Sequence, residues 1–159
     1  MSRYQQVDIQ FTKGDDVYKV VMTGLSIDVF KRASEDPRIN VLEGEALVTA
    51  LLKQDGVIGI ARYKNGQLHD GPAGEPAIWK HDPAVGRTFV RQYQNGLLTD
   101  GAYGEPAVRD YLDGKLVAAQ TYRYGSGYFR QMTRLELQEL PAYIAGNKKK
   151  AYWTKVRPH

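Results

Sequence analysis

The chain has 159 residues, 42% hydrophobic and 25% charged, and no cysteine. This length suits one domain whose core needs no disulfide or metal, and the missing thiols exclude disulfide frameworks, cysteine nucleophiles and thiolate metal sites while fitting a reducing cytoplasm. The net charge of +4 is uneven: residues 1–122 hold 14 Lys+Arg against 16 Asp+Glu, whereas residues 123–159 hold eight against two. No stretch approaches the roughly 18 apolar residues of a membrane span, and no apolar leader core follows Met1, so a cytoplasmic protein without a transmembrane segment is expected.

Val7-Asp8-Ile9-Gln10-Phe11 alternates apolar and polar residues, the period of a half-buried strand. Lys13-Gly14-Asp15-Asp16 supplies turn residues, and Val17 to Met22 reads as the returning strand of a hairpin. Ser26 is a good N-cap for a short helix with Ile27, Phe30 and Ala33 on one face, closed by Pro37. A second helix is expected from about Leu42 to Lys53, with Leu47, Val48, Leu51 and Leu52 facing a core and Asp55-Gly56 ending it. Glu43 and Glu45 suit its positive end.

The next stretch repeats. Residues 61–78 read ARYKNGQLHDGPAGEPAI and residues 91–108 read RQYQNGLLTDGAYGEPAV, an ungapped offset of thirty with ten of eighteen positions identical. Average composition would give roughly one match. Asn65-Gly66 and Asn95-Gly96 are type I′ turn signals, because both central residues of that turn need positive φ. Pro76 and Pro106 cannot donate to a ladder, so each should open a strand or lie on an edge. Strands should then follow at 77–80 and 107–112, with returns at 87–93 and, after Asp113-Gly114, at 115–122. A decayed third copy begins near Tyr122. Beyond it, Thr133 with Glu136 forms a capping box, and residues 135–140 read equally as helix or strand. Pro141 should stop either, leaving a mobile tail from Gly146.

The pattern Tyr-x-Asn-Gly-x-Leu, then Asp-Gly and Gly-Glu-Pro-Ala, resembles the NGxLH…DGPA repeats of bacterial and phage proteins, which look like distant relatives of the MORN repeat. His69-Asp70-Gly71-Pro72-Ala73 lies nearest to that pattern, and the resemblance covers about residues 57–125. It implies stacked β-hairpins in a single-layer or curved sheet that makes protein contacts, sometimes with membrane association. It implies no catalytic residue.

Four sets of residues carry possible chemistry. Asp70, Glu75, Asp100 and Glu105 recur with the repeat and, with His69, would form the acid/base set of a small hydrolase. The plainer reading makes them turn and strand-start residues, kept in both copies by geometry. His69, His81 and His159 show no metal-ligand spacing and read as surface or loop residues. The run from Thr121 to Arg130 interleaves aromatic and basic residues, which stack on unpaired bases and neutralise phosphate, or else half-cover a sheet. Lys148-Lys149-Lys150 heads a basic end that meets phosphates or an acidic surface, or simply keeps the chain soluble. No Walker loop, dinucleotide fingerprint or nucleophile elbow is present.

The expected fold is α+β in one domain: a β-hairpin with two capping helices (residues 1–55), a repeat-built antiparallel meander (56–132, copies near 61–90 and 91–120) and a C-terminal segment with a basic tail (133–159). The expected function is non-enzymatic binding of a protein partner, as an adaptor or inhibitor of a larger protein. Tyr63, Trp79, Phe89, Arg91 and Tyr93 are the expected exposed anchors on the sheet, since Tyr, Trp and Arg dominate interface energetics. The alternative is nucleic-acid binding through Arg123, Tyr124, Tyr128, Arg130, Lys148, Lys149 and Lys150. No metal or cofactor is expected, and association with a second copy is left open.

Overall fold

A computed structural model describes residues 6–54, 56–122 and 129–156, with the backbone alone at 129 and 151–156. The hairpin β1 (Val7–Lys13) and β2 (Asp16–Thr23) leads into α1 (Ile27–Glu35) and α2 (Gly44–Leu52). The repeat region supplies β3 (Gly59–Lys64), β4 (Gln67–Leu68), β5 (Ile78–Asp82), β6 (Arg87–Arg91), β7 (Tyr93–Gln94), β8 (Leu97–Leu98), β9 (Val108–Leu112) and β10 (Lys115–Tyr122). β11 (Phe129–Gln131) and α3 (Arg134–Val156) complete the described chain. One antiparallel sheet runs in the order β1-β2-β3-β5-β6-β9-β10-β11, with β4 folded onto β3, while β7 and β8 form a separate ribbon.

Local chemistry sets the turns. Asn65 and Gly66 have φ of 50° and 85°, and Asn95 and Gly96 have φ of 50° and 81°. Asp113 and Gly114 repeat the geometry, which only residues tolerant of left-handed backbone supply. Ser26 caps α1 by accepting from the Val29 amide at 3.2 Å. The strand expected over 87–93 breaks at Gln92, whose amide donates to the Ala107 carbonyl as that of Arg62 donates to Ala77.

The register decides which residues share a face, because directly opposed residues point the same way. One row runs Val7, Met22, Ile60, Trp79, Val90, Arg109, Ala119 across seven strands. The helices pack on this side: Ala33 of α1 and Val48 and Leu51 of α2 join Val7, Met22 and Ile60 in the core. Within α1, Val29 and Phe30 pack against the core while Ile27 turns outward at 53% exposure, a correction to the expected stripe. At the far end Arg130, paired with Thr121 on the same side as Ala119, donates twice at 2.7 Å to Glu136 of α3. The opposite face carries the row Asp8, Val21, Ala61, Ile78, Arg91, Val108, Gln120, Gln131.

α3 corrects the sequence expectation most. Its capping box forms, with the Glu136 amide donating to Thr133 Oγ1 at 3.2 Å and the Thr133 amide to Glu136 Oε1 at 3.0 Å. The helix then runs through Pro141 and on through residues 146–156, where a mobile tail was expected. An interior proline costs about 3 kcal/mol. Docking offsets that cost: Leu140 is buried, and Asn147 Nδ2 donates to the Tyr103 carbonyl at 2.7 Å.

Candidate functional site

The two repeat copies adopt equivalent paths through their loops. The His69 amide donates to the Arg62 carbonyl, and the Thr99 amide donates to that of Gln92. The amides of Gly71 and Gly101 donate to the carbonyls of Glu75 and Glu105. The carboxylates repeat as well. Asp70 Oδ1 accepts from the amides of Ala77 and Tyr93, both at 2.9 Å. Asp100 Oδ1 accepts from the amides of Ala107 and Tyr122, at 3.0 and 2.8 Å. Each aspartate therefore closes its own loop and ties it to the next unit. Tyr122 takes the part of Tyr93, and the residues in which a third copy was expected, 123–128, lie outside the described ones. Glu75 and Glu105 each accept, at 2.7 Å, from the amide two residues earlier. These four acids have oxygens committed to backbone donors, the part that turn residues play.

His69 is buried, not a surface residue, because the second hairpin stacks on the first. The Gly96 amide donates to the Leu68 carbonyl and the Asn95 amide to His69 Nδ1 at 3.0 Å. Burial, then the nearby Lys64 charge, lowers the His69 pKa, so the ring is neutral with its Nδ1 lone pair engaged. Beside it, Asp70 Oδ2 accepts from Gln92 Nε2 at 2.6 Å, and Gln92 Oε1 accepts from Arg109 at 2.6 Å. Burial pushes the Asp70 carboxyl up to about 6 against the pull of those hydrogen bonds. In the first copy the place of Gln92 is taken by Arg62, which pairs with Glu45 of α2 at 2.9 Å and donates to the Pro76 carbonyl. Among the described residues no group of three or more His, Asp or Glu side chains could hold a metal ion.

The C-terminal helix meets the second loop as that loop meets the first. Tyr103 lies against Gly74, and Tyr143 of α3 lies against Gly104. Lys148 stands 5.5 Å from the Tyr103 ring centroid. A cleft of about 320 Å³ remains beneath α3, bordered by Asp100, Thr121, Arg130, Glu136 and Tyr143. Among the described residues its cation, Arg130, is already paired with Glu136, whose own carboxyl that pairing holds down at about 2.

No family model matches the chain, and no curated protein or solved structure matches it.

The five expected anchors do not share a surface. Trp79 lies on the helix side, packed against the core and stacked on His81 with centroids 6.1 Å apart. Tyr93 leaves the main sheet in the β7–β8 ribbon. Tyr63, Phe89 and Arg91 do share the opposite face, each half-buried. The guanidiniums of Arg87 and Arg91 both lie 5.7 Å from the Phe89 centroid, and Arg91 pairs with Asp110 at 2.9 Å. Arg87, Lys80, Leu112 and Lys115 join this face unforeseen. The alternation Arg87-Thr88-Phe89-Val90-Arg91 carries that signal, since it aligns one aromatic with two cations. Of the alternative set, Arg123, Tyr124 and Tyr128 lie outside the described residues, Arg130 is paired, and Lys148, Lys149 and Lys150 are exposed on α3.

Proposed function

We propose that the chain is a protein-binding module that presents the helix-free face of its sheet to a larger partner, as an adaptor or inhibitor. The observation that supports this reading is the placement of the three helices of the described residues on one side. The other side is left with Val21, Ala61, Ile78, Arg91 and Val108 in one register row, bordered by Tyr63 and Phe89. Five neighbouring strands at about 4.8 Å spacing make that row roughly 19 Å wide, a size suited to the centre of a modest interface. Half-buried aromatic and arginine side chains around aliphatic ones are the composition of interface cores. The MORN-like repeat pattern points the same way.

The test compares capture from the native host by the full chain and by a Phe89→Ala/Arg91→Ala variant. A partner that binds the wild type and is lost from a variant of nearly unchanged melting temperature supports the reading. Equal capture by both chains overturns it.

A further inference from the structure

We infer that the occupant of the open face is an acidic protein segment carrying aliphatic side chains, received around Phe89 and Leu112. This inference rests on the protein-binding reading above and narrows it to one kind of partner.

Residues 1–122 together hold more acids than bases, yet this face has the opposite sign. By register it carries Lys19, Lys80, Arg87, Arg91 and Lys115 against Asp8, Asp82 and Asp110. The three carboxylates are engaged locally. Asp8 meets Lys19 at 3.7 Å, Asp110 meets Arg91 at 2.9 Å, and Asp82 accepts from the Ala84 amide at 3.0 Å instead of turning to Arg87 opposite it. Lys80, Arg87 and Lys115 are exposed and have no ion-pair partner among the described residues. They surround an apolar centre: Lys80 opposes Phe89, while Arg87 and Lys115 both oppose Leu112, which is 42% exposed. An apolar centre with an unpaired cationic rim is the complement of a segment that alternates aliphatic and acidic residues.

Phe89 decides between such a segment and single-stranded nucleic acid. Base binding needs a free aromatic face, but the Phe89 ring already has Arg87 and Arg91 at 5.7 Å. Its neighbours Leu112, Ile78 and Val108 offer aliphatic contact and no further stacking platform. The Arg87 guanidinium, held beside the ring and not spent on an ion pair as that of Arg91 is, suits the planar two-oxygen geometry of a carboxylate.

The full chain is titrated with a labelled peptide of alternating glutamate and leucine, with oligothymidine of equal net charge, and with phosphatidylserine vesicles. The peptide should bind most tightly, weakening as salt rises. Arg87→Glu/Lys115→Glu should weaken it about tenfold and Arg87→Gln/Lys115→Gln by less, with melting temperatures unchanged because both positions are exposed. Failure of the peptide to bind, equal affinity in the charge-reversed chain, or tighter binding of the oligonucleotide or vesicles overturns the inference. A captured partner lost with Phe89→Ala/Arg91→Ala but indifferent to Arg87→Glu/Lys115→Glu sinks the acidic segment and leaves the docking face standing. Indifference to both variants removes the docking face as well.

Discussion

At Asp70 two opposing effects meet on one carboxyl. Burial raises its pKa from 3.8 to about 6, even though the Tyr93 and Ala77 amides and the Gln92 side chain all donate to the anion. The folded value lies above the unfolded one, so the folded chain holds the proton more tightly. The stabilising contribution is complete below about pH 3.8 and is lost as pH rises through about 6. A shift of this size corresponds to about 3 kcal/mol. Asn in place of Asp70 keeps an oxygen for both backbone donors but cannot titrate, and it sets its amide against that of Gln92 at a cost independent of pH. The stability of the wild type minus that of Asp70→Asn, from urea denaturation, should therefore fall by about 2–2.5 kcal/mol between pH 4 and pH 7. A difference that stays flat over that range would show that the carboxyl does not titrate there.

Among the elements, the junction of α3 with the second loop turns on a glycine. Gly66 and Gly104 have nearly the same positive φ, 85° and 82°. A Cβ at Gly66 would meet nothing within 4 Å, whereas one at Gly104 would lie 2.7 Å from Tyr143 Cε1 and 3.0 Å from Asn147 Nδ2. Alanine at either site should cost about 1 kcal/mol for its backbone conformation. At Gly104 crowding against α3 should add about 1–2 kcal/mol. That excess should shrink when Gly104→Ala is made in a Tyr143→Ala background, leaving only the Asn147 part, because a chemical-denaturation cycle isolates the Tyr143 contact. Equal costs for Gly66→Ala and Gly104→Ala in the wild-type chain would mean that Tyr143 does not pack in the notch.

Across the whole molecule, features fixed by neighbouring residues were legible in the sequence and features fixed by distant ones were not. Asn-Gly turns, the Ser26 cap and the Thr133–Glu136 box depend on a few adjacent residues, and all three form. The inward turn of Trp79 depends on its pairing with Ile60, the burial of His69 on the second hairpin, and the passage of α3 through Pro141 on docking to the second loop. The acids at 70 and 100 were legible as structural, but that each binds its loop to the following unit was not, since Tyr93 and Tyr122 lie more than twenty residues away. Such links make the repeat region a chain of nearest-neighbour contacts, in which stability is local. Asp100→Ala removes the acceptor of the Ala107 and Tyr122 amides at the second junction and leaves the hairpin–helix core untouched. Losing two partly buried hydrogen bonds at about 1–1.5 kcal/mol each should speed native-state exchange by about a hundredfold at Ala107, Tyr122 and Met132. The amides of Val20, Met22 and Ile60 should keep their protection. A uniform rise across both regions would mean that the sheet opens as one cooperative unit, and the nearest-neighbour description would fall.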